Sequence, residues 1–234
     1  MDRPYRTVRE LIHIHAGRPA VVLGGGMSLP VELPSCPSRD EAIYLSANDH
    51  GARLVEVDYI VAHDNIEDRI RPFGKPLISR YLWADYRYLR WPAPSTGVIT
   101  AWIARLMGCA PIYIVGMDCF SGKGTYYDKP DEKSAGFLVS VDVHVERWRK
   151  MMTDFQAEYR PVGGPVAEGY ARWGCHVPGV VPRERIDQDI AGSWVRFKQP
   201  VTLKQQRTFR ADERVELAPH EAARLIQQGL AEAA

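Results

Sequence analysis

The chain has 234 residues, 45% of them hydrophobic and 25% charged, with 30 Lys and Arg against 29 Asp and Glu and a formal net charge of +1. This balance excludes a disordered chain, which would be poor in apolar residues or strongly charged. It also argues against a nucleic-acid binder, which carries a basic excess. No apolar run approaches the roughly 20 residues that span a bilayer, so no membrane span is expected.

The first residues, Met-Asp-Arg-Pro-Tyr-Arg, lack the apolar core of a secretory signal, so a cytoplasmic protein is expected. Cys36, Cys109, Cys119 and Cys175 form no Cys-x-x-Cys pair, which argues against a structural zinc, and reduced thiols are expected. At about 150 residues per domain the length suits one large domain, alone or with an appendage.

Taken in chain order, residues 7–15 have Val8, Leu11 and Ile12 at helical spacing, and Gly17-Arg18-Pro19 ends that segment. Short apolar runs follow at 20–23, 42–47, 57–62, 76–79 and 111–115. Each gives way to small or polar residues: Gly24-Gly25-Gly26, Asn48-Asp49-His50-Gly51, His63-Asp64-Asn65 and Gly116-Met117-Asp118 after four of them. Helical segments alternate with some of the runs. The pattern predicts an α/β protein with a Rossmann-like, doubly wound, mostly parallel sheet whose functional loops follow the strands. The clearest helix opens at Ser95-Thr96-Gly97 and continues to Met107, with Gly108 as its stop. A second, amphipathic helix is expected over about 142–159. Residues 1–178 form the expected main domain and 179–199 a charged linker. Residues 200–234, with two short strands and a helix opened by Pro219, form a small C-terminal α+β appendage.

Six segments carry candidate chemistry. Three glycines, Gly24, Gly25 and Gly26, follow a buried strand and let backbone amides approach an anion, with Ser28 as an added donor. The pattern is neither G-x-G-x-x-G nor a P-loop. Asn48 offers an amide donor and acceptor, although Asn and Asp are also ordinary turn residues. Asp64 could contact a ribose hydroxyl, whereas His63 reads better as a strand-end residue. Ser95, Thr96 and Gly97 open a helix, a ready anion site. Asp118 leads into a Gly122-Lys123-Gly124 loop and the hydroxyls of Tyr126 and Tyr127, a segment able to close over substrate. His144 has the residue type of a general base. His13 and His15, two apart on a helix, diverge and read as non-ligands.

Taken in order, Leu23-Gly24-Gly25-Gly26-Met27-Ser28-Leu29, Asn48-Asp49, Ser95-Thr96-Gly97, Ile112 to Asp118, the tyrosines and a histidine before a helix resemble the bacterial sialyltransferases of the Campylobacter type. They also resemble the related group that includes archaeal hydroxymethylpterin diphosphokinases. The likeness spans about residues 18–160. It implies a Rossmann-like fold and a metal-independent transfer of sugar from a nucleotide-sugar donor, such as a CMP-sialic-acid-like molecule, to a glycan or small-molecule acceptor. It places Gly25, Gly26, Ser28, Asn48, Ser95, Thr96 and Gly97 around the nucleotide, where the residues themselves add Gly24, Asp64 and Asp118 as expected contacts. It also places Tyr126 and Tyr127 on the leaving phosphate and His144 as the base. Gly25 stands where the sialyltransferases carry Asn, and Met27 where they carry Pro. The triple glycine and the C-terminal piece resemble phage and prophage proteins.

No cofactor or metal is expected under the transferase reading. The alternatives are a pyrophosphokinase, with Mg²⁺ held by Asp64 or Asp118, and a non-catalytic phage-associated module of the same fold. No nucleic-acid partner is expected, and a homo-oligomer is compatible with the sequence.

Overall fold

The computed structural model describes residues 6–88, 91–121, 126–128, 139–190, 193–202, 208–212, 214–217 and 219–233. Seven strands form one sheet: β1 (Ala20–Leu23), β2 (Ile43–Ala47), β3 (Tyr59–Ala62), β4 (Leu77–Ser79), β5 (Tyr86–Arg87), β6 (Ile112–Val115) and β7 (Tyr159–Pro161). Their order is β5-β4-β3-β2-β1-β6-β7, and every neighbouring pair is parallel. The expected Rossmann-like α/β architecture is therefore present, with a sheet that is parallel throughout.

The four residues of β1 are all fully buried, as a central strand covered on both faces requires. Successive side chains take opposite faces. Val22, Leu45, Val61, Ile78 and Ile114 join one core, while Val21, Leu23, Tyr44, Ile60 and Leu77 join the other. The second face is covered by the short helices α1 (Leu29–Glu32), α2 (His50–Leu54) and α3 (Glu67–Ile70). The first face is covered by α4 (Thr96–Leu106), α5 (Val141–Asp154), α6 (Gly164–Trp173) and α7 (Arg183–Ile190). Every residue of α4 from Val98 to Leu106 is buried, and the helix packs on β1, β2, β3 and β6.

The chain starts at the middle of the sheet, winds outward to β5, returns through α4 and lays β6 beside β1. The β1–β6 junction is therefore the point where the winding direction reverses. Open α/β sheets leave a crevice there, beyond the carboxyl ends of the strands.

Several expected elements are corrected. The segment 7–15 forms only a 3₁₀ turn, Val8–Leu11, held by a reciprocal cap between Thr7 and Glu10. His13 then takes φ +59°, and its Nε2 lies 2.8 Å from the Val181 carbonyl, while His15 Nε2 meets the Tyr59 hydroxyl at 3.0 Å. The amphipathic helix stops at Asp154, and β7 follows at Tyr159.

The expected linker over 179–199 carries regular structure. Ile186 and Ile190 of α7 join the main core, and strand β8 (Ser193–Phe197) is the centre of a three-stranded antiparallel sheet. Its neighbours are β11 (Arg214–Leu217) and β12 (Ala231–Ala233). β9 (Val201–Thr202) pairs with β10 (Thr208–Phe209). Helix α8 (Pro219–Gln227) completes a small core that includes Phe197, Val215, Leu217, Leu225 and Ala231. The C-terminal sheet thus depends on residues upstream of 200. Among the described residues no helix is long and apolar enough to cross a membrane.

Helix α7 is tied to α4 by charge. Arg105, 1% exposed, meets Asp189 at 2.7 Å and donates from Nε to the Gln156 carbonyl at 3.1 Å. Removing one partner of a buried pair strands the other charge, at a cost of about 3–5 kcal/mol, whereas an apolar replacement of similar size is tolerated far better. Asp189→Ala should therefore lower stability by about that amount, and Arg105→Met should lower it by less, as read from urea unfolding midpoints.

Candidate functional site

A cleft of about 400 Å³ opens over the carboxyl ends of the sheet at the β1–β6 junction. Its floor is main chain. The Gly24 amide donates to the Val115 carbonyl at 2.8 Å and the Gly26 amide to the Gly116 carbonyl at 2.8 Å. A Cβ at Gly24 would fall 2.1 Å from the Gly116 oxygen, so only glycine lets the two strand ends approach this closely. Glu32 accepts the Gly116 amide at 2.8 Å. Ser28 closes the turn: its amide donates to Asp118 Oδ2 at 3.0 Å and its hydroxyl to Oδ1.

Eleven of the expected residues line the cleft: Gly24, Gly25, Gly26, Asn48, Asp64, Ser95, Thr96, Gly97, Asp118, Tyr126 and His144. Ser28 does not line it and acts through Asp118. The first turn of α4 points into the cleft from Ser95, which is extended and makes no side-chain cap. Gly97 lets this turn pack on the loop after β6, where a Cβ would meet Met117 Sδ at 2.6 Å. An uncapped helix start is a binding geometry for an anionic group, whereas the Gly24 and Gly26 amides are taken by strand-end carbonyls.

Asn48 holds φ +60°, and its Oδ1 is buried without a hydrogen-bond partner. On the next strand end, His63 packs its ring edge-on to Trp91 and meets the Tyr88 hydroxyl at 3.2 Å. His63 lines the cleft as well, beyond the strand-end role expected for it.

The tyrosines divide. Tyr126 stacks on His50 with ring centroids 3.9 Å apart, and a Cβ at Gly25 would strike both rings. Tyr127 is not among the residues lining the cleft; its amide donates to the Gly25 carbonyl at 2.9 Å and its hydroxyl to the His50 carbonyl at 2.6 Å. Burial, together with Asp128, pushes its hydroxyl up to about 12, so it stays a donor and straps this segment to the glycine turn. The Gly122-Lys123-Gly124 loop lies outside the described residues.

His144, on the first turn of α5, is buried against Phe120 at 5.1 Å between ring centroids. Arg147 and Trp148, three and four residues on, share its wall. That spacing is the signal by which a helical reading could have found them. His50 and Phe120 were also not singled out from the sequence.

Among the described residues no group of three or more His, Cys, Asp or Glu is arranged to hold a metal ion. The chain's Asp-x-Asp triplet, Asp187-Gln188-Asp189, lies on α7 away from the cleft lining, in ion pairs with Arg183 at 3.8 Å and Arg105 at 2.7 Å. No protein-family model, no curated protein and no solved structure matches this chain.

Gly24→Ala should destabilise the fold by about 1–3 kcal/mol or more, as overpacking against backbone does, seen as a lowered urea midpoint. A pH effect follows from His63 and His15. Burial, with Arg80 beside His63 and Arg18 beside His15, lowers both below the ordinary value of 6.5. Just below that value the unfolded chain binds protons that the native state does not. Stability should therefore fall as pH drops below about 6.5 and level off beneath the two folded values. His63→Gln should shrink the difference between urea unfolding at pH 7.5 and at pH 5.5.

Proposed function

We propose that the cleft binds a nucleotide-activated sugar and that the protein transfers the sugar to an acceptor hydroxyl. The observation that carries this reading is the uncapped α4 start facing the Gly24–Gly26 turn across the switch-point cleft. The first-turn amides of a helix, which have no partner within the helix, suit a nucleotide phosphate. They suit equally the negative charge that grows on that phosphate as the sugar leaves. The cleft volume lies within the range typical of small-ligand sites.

Asn48 and Asp64 supply hydrogen-bonding groups for a base or ribose. The Tyr126 ring forms part of the wall. Two histidines beside the phosphate region, His50 and His144, are candidates to take the acceptor's proton, and the family resemblance favours His144. The fold and the glycine turn also suit a pyrophosphokinase, in which Asp64 and Asp118 would hold Mg²⁺. Both Asp118 oxygens already accept from Ser28, which favours the transferase.

A thermal-shift panel of CMP, CDP, UDP, GDP and ATP, each with and without Mg²⁺, tests the reading. Ligand at a hundredfold excess over Kd adds about 2.7 kcal/mol to the native state, or roughly 5–10 °C for a chain of this size. A rise with CMP that does not need Mg²⁺ is expected. A rise confined to ATP with Mg²⁺ would point to the kinase, and silence throughout would sink both enzymes and leave a non-catalytic module.

A further inference from the structure

One side chain of the cleft has the geometry of an activated base and was not singled out by the sequence. His50 opens α2, directly after the β2 strand end, and its side chain is 4% exposed. Its Nδ1 lies 2.8 Å from Asp128 Oδ1. An ionised carboxylate only accepts hydrogen bonds, so the ring proton sits on Nδ1. Nε2 then carries the lone pair. The ring lines the cleft, and its contact with Asp128 is made through Nδ1, which leaves Nε2 for a ligand there.

The orientation is held from every side. Tyr126 stacks on the ring, the Tyr127 hydroxyl holds the His50 carbonyl, and Arg53 Nε lies 3.4 Å from the second Asp128 oxygen. An imidazole fixed by a carboxylate in the wall of a cleft is the arrangement that nucleophile activation uses on unrelated folds. Gly25 allows it, because any Cβ there would occupy the space of the His50 ring.

We infer that His50, positioned by Asp128, is the general base of the cleft; this rests on the transferase reading. Nε2 takes the proton of the acceptor hydroxyl. The oxygen's electron pair forms the bond to the sugar's anomeric carbon as the bond from that carbon to the phosphate oxygen breaks. The departing nucleotide keeps that electron pair, beside the α4 start. Asp128 faces the imidazolium formed, which then loses its proton to water. His144 is left with a binding role in the cleft lining.

The test uses the full chain and needs no known acceptor, because water serves as one. Hydrolysis of CMP-sialic acid, UDP-sugars and GDP-sugars is followed by nucleotide release. His50→Gln should lower kcat by at least about 100-fold, the usual contribution of a general base, with little change in KM, and His144→Gln should raise KM instead. In parallel, NMR of ¹⁵N-histidine-labelled protein should show His50 protonated at Nδ1, and Asp128→Asn should move that proton to Nε2 while the fold persists.

Retention of kcat by His50→Gln in a protein that turns over a donor overturns the base assignment alone. So does an Nε2-protonated His50 in the unsubstituted chain. If the unsubstituted chain consumes no donor, the transferase reading fails and the assignment falls with it.

Discussion

The close approach of the β1 and β6 chain ends is the constraint on which the rest of the molecule depends. Past the last paired residues, the Gly24 and Gly26 amides continue to donate to the neighbouring strand end, at 2.8 Å each. The ladder therefore runs on into what would otherwise be two separate loops. The approach is so tight that no side chain fits at position 24. Three further contacts hang from it. Ser28 and Asp118 latch the two loops, Glu32 holds the Gly116 amide, and Met117 packs beneath Gly97 at the start of α4. A sheet that reverses its winding between these two strands must leave a crevice here. The glycine ladder gives that crevice a floor of backbone dipoles instead of side chains.

Charge is distributed accordingly. The chain is nearly neutral, and its most buried charges are paired for structural ends. Asp49 is fully buried; burial alone would raise its pKa, but hydrogen bonds from Arg53 and Arg69 outweigh that and hold it below the usual carboxylate range. Arg105 is balanced by Asp189. The cleft brings Arg147 together with Asp64 and Asp118, so an anion there meets no concentrated positive field. What the cleft offers an anion is the start of α4, whose partial charge is fixed in direction and independent of pH. Such a site suits a group whose charge changes during a reaction better than one held by permanent ion pairs.

Much of this was legible in the sequence, for reasons particular to each element. The strands β1 to β4 and β6 are apolar runs that end in small or polar residues, because both faces of the sheet are covered. β5, with Tyr86 and Arg87, and β7, which ends in Pro161, lie at the sheet edges. Edge strands need no apolar run, and they accommodate proline, so nothing in the local sequence marked them. Helix α7 buries only the stripe of Ile186 and Ile190 within a charged segment, which made a helix look like a linker. In the site, the glycine turn, Asn48, the α4 start and His144 are readable because each directly follows a strand or opens a helix. The bond from the Tyr127 hydroxyl to the His50 carbonyl and the pairing of His50 with Asp128 span 77 and 78 residues, so neither is written in the local sequence.

The backbone of the cleft departs from ordinary geometry where the site demands it. Asn48, Cys119 and Phe120 all take left-handed φ values, +60°, +52° and +61°, and all three line the cleft. Left-handed backbone costs a residue with a Cβ about 1–2 kcal/mol, and such outliers persist only where surrounding contacts over-determine them. At Asn48 those contacts are visible: its amide is held by the Val61 carbonyl and its own carbonyl by the Ser46 hydroxyl. At 119 and 120 two successive left-handed residues fold the chain back, so that the Phe120 ring comes to lie 6.1 Å from Tyr126 and 5.1 Å from His144. That ring joins two walls of the cleft contributed by segments distant in the chain. A relaxed turn at the end of β6 would release the strain and separate them. The strain therefore accompanies the placing of the Phe120 ring in contact with both Tyr126 and His144 in one ligand-sized space.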